Sequence, residues 1–165
     1  MPDSISIDIV GLTDVKAMLE DLGTKAADRA IRKALKAGAA IEQAAIEERA
    51  PVNVPGGGGS LPRGALAADI TVTMTRSDQG NIAAIVQPGK LTRHVAEWVE
   101  YGHRQVHGGR STKLANGKTR GPGVEIGNVP AHPFIRPAYE ATAEEVANTI
   151  ATVLAEEATK ASKES

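Results

Sequence analysis

A segment with prolines at positions 133 and 137 constrains the fold more than any other part of this sequence. Each proline fixes φ and removes a backbone N–H donor, so the chain should arrive extended and become helical only at a first turn, where a missing donor costs nothing. Phe134, the one phenylalanine of the chain, lies between the two prolines. The segment therefore predicts a helix entrance at which Phe134 is held as an apolar anchor.

Composition limits the class of protein. The chain has 165 residues, a formal net charge of −1 and no cysteine, which fits a single domain over 1–165 without disulfides or thiolate metal sites. The chain has only four aromatic residues, so its core must be built from Ala, Val, Ile and Leu. Such a core suits helices and strands that bury part of their apolar surface against neighbouring subunits. Because no stretch has the apolar length of a membrane span or the pattern of a signal peptide, we expect a soluble, unexported protein with no membrane contact.

The first third of the sequence predicts one strand and two helices. Isoleucines at positions 5, 7 and 9 alternate with polar residues, which indicates a half-buried strand over 5–10. A short helix is predicted from Asp14, and a longer Ala-rich helix over 25–49 that ends before Pro51. The long helix is basic in its first half and acidic at its end, which opposes the macrodipole. A solvated polar face and contact with subunits of opposite charge both explain this arrangement.

The remainder of the sequence predicts a small sheet, a short helix and a long final helix. Alternation over 69–76 and 82–87 indicates a β-hairpin, and Val95, Trp98 and Val99 have the spacing of a helix that ends near Gly102 in a left-handed cap. Two Gly-rich segments, 53–63 and 103–128, are expected to be long flexible loops. The last helix should begin at Phe134 or Pro137 and reach about residue 160, with a frayed tail over 161–165. The predicted class is α+β, with long helices packed on a small antiparallel β-sheet.

Catalytic and metal sites find little support in the residues. His103 and His107 stand four apart, but they lie in a predicted loop without Cys or a nearby carboxylate to complete a metal site. The serines lack the context of a nucleophile elbow, and the glycines at 56–59 do not continue into a phosphate-binding motif. We therefore expect no enzyme activity, no metal and no cofactor. Trp98 and Tyr101 have a spacing more typical of core residues than of ligand-stacking residues.

The segment 103–120 carries five basic residues and no acid, in a chain whose total charge is near zero. These residues are Arg104, Arg110, Lys113, Lys118 and Arg120. One hypothesis is that they contact DNA phosphates without reading bases. The other is that they contact an acidic surface of an adjacent subunit, for example Glu140, Glu144 and Glu145. On residues alone, the alternative function is a nucleic-acid-binding module that uses 103–120.

Four short motifs follow one another along the chain. They are Ala50-Pro51 at the end of the long helix, Gly64-x-Leu66 before the Thr-rich strand, Val99-Glu-Tyr-Gly102, and Pro133-Phe-Ile-Arg-Pro-Ala138. In this order the sequence resembles the gene-product-ten-like neck and tail-completion family of long-tailed bacteriophages. Two features depart from the family's pattern: His103 stands where Thr is usual, and the segment 53–63 is longer than the usual short turn.

This resemblance implies a structural virion protein without catalytic activity. The implied assembly is a homo-oligomeric ring, expected to be a hexamer, which joins the head connector to the tail tube at the head–tail junction. Its implied partners are the connector stopper, the tail terminator and the major tail tube protein, with non-specific contact to genomic DNA in the lumen. It would be assembled in the host cytoplasm and located in the neck of the virion. The candidate interface residues are Trp98, Glu100, Tyr101, Phe134, Arg136 and Pro137.

Two contacts are predicted between the last two motifs. Glu100 and Arg136 are each the lone charge of an otherwise uncharged motif, so a structural ion pair between them is one hypothesis, and separate exposure of both is the alternative. Phe134 is expected to fill a pocket between the helix that carries Val95, Trp98 and Val99 and the long first helix.

Overall fold

The computed structural model of the chain describes residues 23–52, 61–78, 80–107 and 123–164. Its elements, in chain order, are α1 (Gly23–Arg49), α2 (Ala65–Ala68), β1 (Ile70–Arg76), β2 (Ile82–Pro88), α3 (Arg93–Tyr101), β3 (His103–His107), β4 (Val124–Val129) and α4 (Ile135–Glu164). The class is α+β, as predicted, with the strands arranged in two antiparallel pairs. The strand predicted over 5–10 and the helix predicted from Asp14 lie outside the described residues.

The two long helices, α1 and α4, pack against each other in opposite directions. Lys33 of α1 bonds Glu157 of α4 at 2.7 Å, while farther along α1 the backbone of Gly38 meets Ile150 and Val146. A Cβ added to Gly38 would lie 2.7 Å from Cγ1 of Ile150, so the helices approach closely at this point. Small side chains elsewhere in the contact permit the same approach, because little volume separates the two backbones.

The sheet formed by β1 and β2 lies along α1. The strands pair antiparallel from Ile70↔Pro88 to Arg76↔Ile82, which confirms the predicted hairpin. At one end the side-chain amide of Gln43 donates to the backbone C=O of Ile70 at 3.0 Å. At the other end Arg76 forms an ion pair with Asp28. Because residues 28 and 43 of α1 meet the end and the start of β1 respectively, helix and strand run antiparallel.

A second hairpin corrects the prediction of one continuous loop over 103–128. β3 pairs antiparallel with β4, and the register is irregular between Gln105 and Val106. Every residue of β4 is exposed. Valine and isoleucine at 124 and 126 alternate with Glu125, but the glycines and basic residues before them are typical of a loop, and this composition concealed the strand. The residues between the strands, 108–122, are not among those described.

The main core lies where α1, the first sheet, α3 and the start of α4 converge. Its buried members are Ala45, Ile46, Ala50, Leu66, Ile70, Ala96, Phe134 and Ala138. A smaller cluster of Ala30, Ala34 and Leu154 lies farther along the pair of long helices. α1 ends at Arg49, immediately before Ala50-Pro51, as predicted. α4 continues to Glu164, through most of the residues expected to fray.

Candidate functional site

The carboxylate of Glu100 caps the N-terminus of α4. Its two oxygens accept the backbone N–H groups of Phe134 at 2.8 Å, Ile135 at 2.9 Å and Arg136 at 3.1 Å. The first N–H groups of a helix have no partner within the helix, and a negative charge at this end is also favoured by the helix dipole. Glu100 is buried and therefore has little contact with water. The three N–H donors compensate for the loss of hydration of its charge.

Pro137 limits the number of N–H groups that this cap must satisfy. The residue after the three bonded donors is Pro137, which has no N–H to satisfy. The following residue, Ala138, donates to the C=O of Phe134 at 3.4 Å and begins the regular bonding of the helix. The helix therefore starts within the segment that the two prolines predicted, and its acceptor comes from the Val99–Gly102 motif.

The predicted ion pair between Glu100 and Arg136 is not formed in this arrangement. Arg136 contributes its backbone N–H to the carboxylate, and its side chain is exposed. Among the ion pairs of the described residues, none within 4.0 Å joins these two side chains. The lone charge of Glu100 was expected to have a partner, and it has one. That partner is the N-terminus of α4 and not the side chain of Arg136.

The neighbours of Glu100 hold the chain that leads into α4. The C=O of Val99 accepts the N–H of His132 at 2.7 Å. Gly102 has φ 73° and ψ 167°, so it takes a positive φ without the left-handed helical conformation that was predicted. A Cβ at Gly102 would lie 2.7 Å from the C=O oxygen of Val129 and 2.9 Å from the N of Ala131. Glycine is therefore required here by both the backbone angle and the close approach of another strand.

The opposite end of α3 is held by a second carboxylate. Asp69 accepts the backbone N–H of Thr92 at 2.9 Å and its hydroxyl at 3.0 Å. Thr92 is fully buried and immediately precedes the helix. Sequence reasoning missed this contact; threonine at this position is a recognisable helix-start signal, but nothing local indicates that its partner lies 23 residues earlier. α3 is consequently held at both ends: Asp69 bonds Thr92 at its start, and its own Glu100 bonds the start of α4 near its end.

The predicted pocket for Phe134 is confirmed, with one exception among its walls. Phe134 is 2% exposed and packs in the main core with residues of α1 and with Ala96, Val95 and Val99 of α3. Trp98 does not belong to this cluster. It is 48% exposed and Tyr101 is 69% exposed, so the expectation that both are core residues is wrong. Their spacing is that of a helix, but neither side chain belongs to the core cluster that contains Phe134.

The ring of Trp98 contacts two histidine rings. The ring of His94 meets it edge-on with centroids 5.3 Å apart, and the ring of His103 lies tilted against it at 5.1 Å. His103 is the first residue of β3, so this contact joins α3 to the second hairpin. The Nδ1 atom of His103 is buried and has no hydrogen-bond partner.

A cleft of about 560 Å³ lies beside Glu100 on the surface of the molecule. Its lining brings together four elements: Glu42, Gln87, Pro88, Arg93, Ala96, Glu97, Glu100, Tyr101, Ile135, Arg136 and Tyr139. Tyr101 and Tyr139 are both exposed at it, and burial raises the pKa of Glu42. Of the predicted interface residues, the cleft unites Glu100, Tyr101 and Arg136, whereas Phe134 lies in the core below. Pro137 is exposed in the first turn of α4.

Of the five basic candidate residues, the structure describes Arg104 alone. Arg104 lies on β3 and pairs with Glu125 of β4 at 3.3 Å, with both side chains mostly exposed. The remaining candidates, Arg110, Lys113, Lys118 and Arg120, lie outside the described residues. The carboxylates suggested as their partners, Glu140, Glu144 and Glu145, are exposed on the first turns of α4.

Two classes of feature are absent from the part of the chain that the structure describes. Its His, Asp and Glu side chains form no group of three or more that could hold a metal ion. None of its helices combines the length and apolar character needed to cross a membrane.

The family comparison covers the first three motifs. A family model described as "Bacteriophage HK97-gp10, putative tail-component" matches residues 13–102, more than half of the chain. The chain belongs to this family. The matched region ends at Gly102, and the Glu100 cap ties the fourth motif, 133–138, to it. No curated protein and no solved structure gives a significant match.

Proposed function

We propose that this chain is a structural subunit of a ring at the head–tail junction of a long-tailed bacteriophage, where it joins the head connector to the tail tube. Membership of a family of phage tail components supports a place in the virion. The finer assignment to the neck rests on the motifs named above. The proposed ring is a hexamer, and its proposed neighbours are the connector stopper, the tail terminator and the major tail tube protein.

The observation that carries this proposal is the placement of the aromatic residues. Three of the four, Trp98, Tyr101 and Tyr139, are at least 40% exposed, although a core poor in aromatic side chains would gain from burying them. Aromatic residues and arginine are enriched at protein interfaces, and Tyr101 and Tyr139 line the cleft together with Arg93 and Arg136. We name Trp98, Tyr101 and Tyr139 the aromatic rim.

The helices that carry the aromatic rim are held by hydrogen bonds at their ends. Trp98 and Tyr101 lie on α3, which Asp69 holds at its start, while Tyr139 lies on the first turns of α4, which Glu100 caps. A surface that is already rigid loses little conformational entropy when a partner binds. The two caps therefore contribute to assembly by fixing the direction in which the rim residues project.

Truncation of the aromatic rim tests this proposal. The double variant Trp98→Ala with Tyr101→Ala should melt within a few degrees of the parent, because both side chains are exposed, yet fail to join heads to tails in a complementation assay. Leu91→Ala is the control, since Leu91 is also an exposed apolar residue, at 57%, but is not part of the aromatic rim. If the double variant produces joined particles at the parental level, the aromatic rim is not the assembly surface.

A further inference from the structure

Four basic residues form a continuous stripe along the first half of α1. They are separated by four, three and four positions, so their side chains lie on one face of the helix. All four are exposed. Among the ion pairs of the described residues, none involves any of the four side chains. We name these residues the basic stripe: Lys25, Arg29, Arg32 and Lys36.

The basic stripe is electrostatically unfavourable in an isolated chain. Like charges three or four positions apart repel each other on a helix surface, and the helix dipole opposes positive charge in the first turns. Asp28 is the one acidic residue within 23–36, and it already pairs with Arg76 of β1. A partner with carboxylates facing the stripe would therefore relieve the repulsion.

The outward side of α4 carries the opposite charge. Three of its exposed glutamates form no ion pair within the part of the chain that the structure describes. We name Glu144, Glu145 and Glu156 the acidic face. The first two line a shallow groove of about 530 Å³ together with short side chains such as Asn148 and Thr152. The groove leaves room for the long side chains of lysine or arginine beside these carboxylates.

The basic stripe and the acidic face lie on opposite sides of the packed helices α1 and α4. A step of two residues turns about 200° around an α-helix. On α1, Arg32 follows by two positions Ala30, which is in the small cluster with Leu154 of α4. On α4, Glu156 follows Leu154 by two positions. Complementary surfaces on opposite sides of one molecule favour head-to-tail contacts, which form a ring when the rotation between copies closes.

We propose that the basic stripe of one copy binds the acidic face of the next copy. The contact rests on the proposed function, because it presumes a ring of identical subunits, and it adds which surfaces those subunits use. The two surfaces match in length, since Lys25 to Lys36 and Glu145 to Glu156 each span eleven positions, about 17 Å of helix. Within one chain Lys33 lies beside Glu157, so successive copies are staggered along the helices.

A zero-length carbodiimide crosslinker tests the contact, because it joins a lysine amine to a carboxylate that touches it. An equal mixture of isotopically labelled and unlabelled protein distinguishes crosslinks between chains from those within one chain. Peptide masses should show a lysine of the basic stripe joined to a glutamate of the acidic face between chains. Lys33 and Glu157, 2.7 Å apart, should crosslink within a chain and provide the positive control. If this control forms without any crosslink between stripe and face, the proposal is overturned.

Charge reversal adds a test with a rescue. The stripe variant carries Arg29→Glu and Arg32→Glu, and the face variant carries Glu145→Lys and Glu156→Lys. Each should weaken self-association about tenfold or more in sedimentation velocity at low salt, because like charges then meet at every contact. A combined variant with all four substitutions should recover parental association, because every contact again joins opposite charges. All four positions are exposed, so each variant should melt within a few degrees of the parent.

A matched control has the same charge change as the stripe variant. Arg63→Glu with Lys90→Glu reverses two exposed residues outside both surfaces and should associate like the parent. Parental association of the stripe variant, or a combined variant no better than the stripe variant, would overturn the proposal. DNA retention that is lost in the stripe variant and kept in the face variant, without crosslinks between chains, would assign the stripe to nucleic acid instead. These measurements use purified protein, so their outcome is independent of where the subunit lies in the virion.

Discussion

The carboxylate of Glu100 accepts the backbone N–H of Phe134 at 2.8 Å, across 34 residues of sequence. The same carboxylate bonds the next two N–H groups, and Pro137 removes the donor that would follow. Two motifs that are separately weak as sequence signals thus form one structural joint. One supplies the acceptor and the glycine that permits close approach, and the other supplies the donors and the apolar anchor.

Removal of the Glu100 carboxylate should be strongly destabilising. Glu100→Ala leaves three N–H groups at the start of α4 without their acceptor, and we expect the free energy of unfolding to fall by on the order of 3 kcal/mol. Glu97→Ala is the control, because Glu97 lies on the same helix and is exposed. Urea denaturation of the two variants measures the difference. Equal stability of the two would show that the cap contributes little.

Arg136→Ala separates capping from ion pairing. The substitution retains the backbone N–H that donates to Glu100 and removes only an exposed side chain. We expect the free energy of unfolding to change by about 0.5 kcal/mol or less. A loss as large as that of Glu100→Ala would mean that the guanidinium is the partner of this carboxylate.

Phe134→Ala should cost about 3–5 kcal/mol, because it opens a cavity in the main core at a site fixed by Glu100 and the flanking prolines. Tyr139→Ala removes a comparable ring that is 40% exposed and should cost much less. Thermal unfolding followed by circular dichroism compares the two. Parental melting of the Phe134 variant together with failed assembly would assign its pocket to a neighbouring subunit.

Glu42 gives a pH dependence of defined sign. Burial raises its pKa above the ordinary value of 4.5, so the folded protein binds a proton more readily than the unfolded chain does. Its ionised form therefore reduces stability at neutral pH, and this loss is relieved as pH falls through the folded pKa toward 4.5. Glu42→Gln should raise the melting temperature near neutral pH by an amount that shrinks on acidification. A difference that is constant or grows at low pH would contradict this assignment.

Reversal of Arg110, Lys113 and Arg120 to Glu tests the role of the basic segment 103–120. If the segment faces DNA in the lumen, particles should assemble but show altered DNA retention or ejection. If it contacts an adjacent subunit or ring, for example at Glu140, heads and tails should remain unjoined. Normal assembly with normal infectivity would reject both hypotheses.

The sequence predicted those parts of the joint that depend on local chemistry. Proline restricts its own φ and donor wherever it occurs, so the start of α4 and the anchoring of Phe134 followed from residues 133–137 alone. The partner of Glu100 could not be predicted in the same way, because a helix terminus 34 residues away offers a buried carboxylate the same compensation as an arginine side chain.

Periodicity left two other features undetermined. The spacing of Val95, Trp98 and Val99 predicted a helix correctly, but an apolar stripe does not reveal which of its residues face the core of one chain and which face a partner. In β4, the exposed residues Val124 and Ile126 follow a glycine-rich basic stretch, so the composition of a loop concealed a strand. Both errors concern surfaces that a single chain leaves uncovered.

Electron microscopy of the virion with this subunit labelled tests the central claim most directly. A label fused to the chain should appear as a ring of density at the head–tail junction, in particles whose heads and tails are joined. Label along the tail tube, at the distal tip or absent from purified virions would contradict the assignment of this chain to the neck.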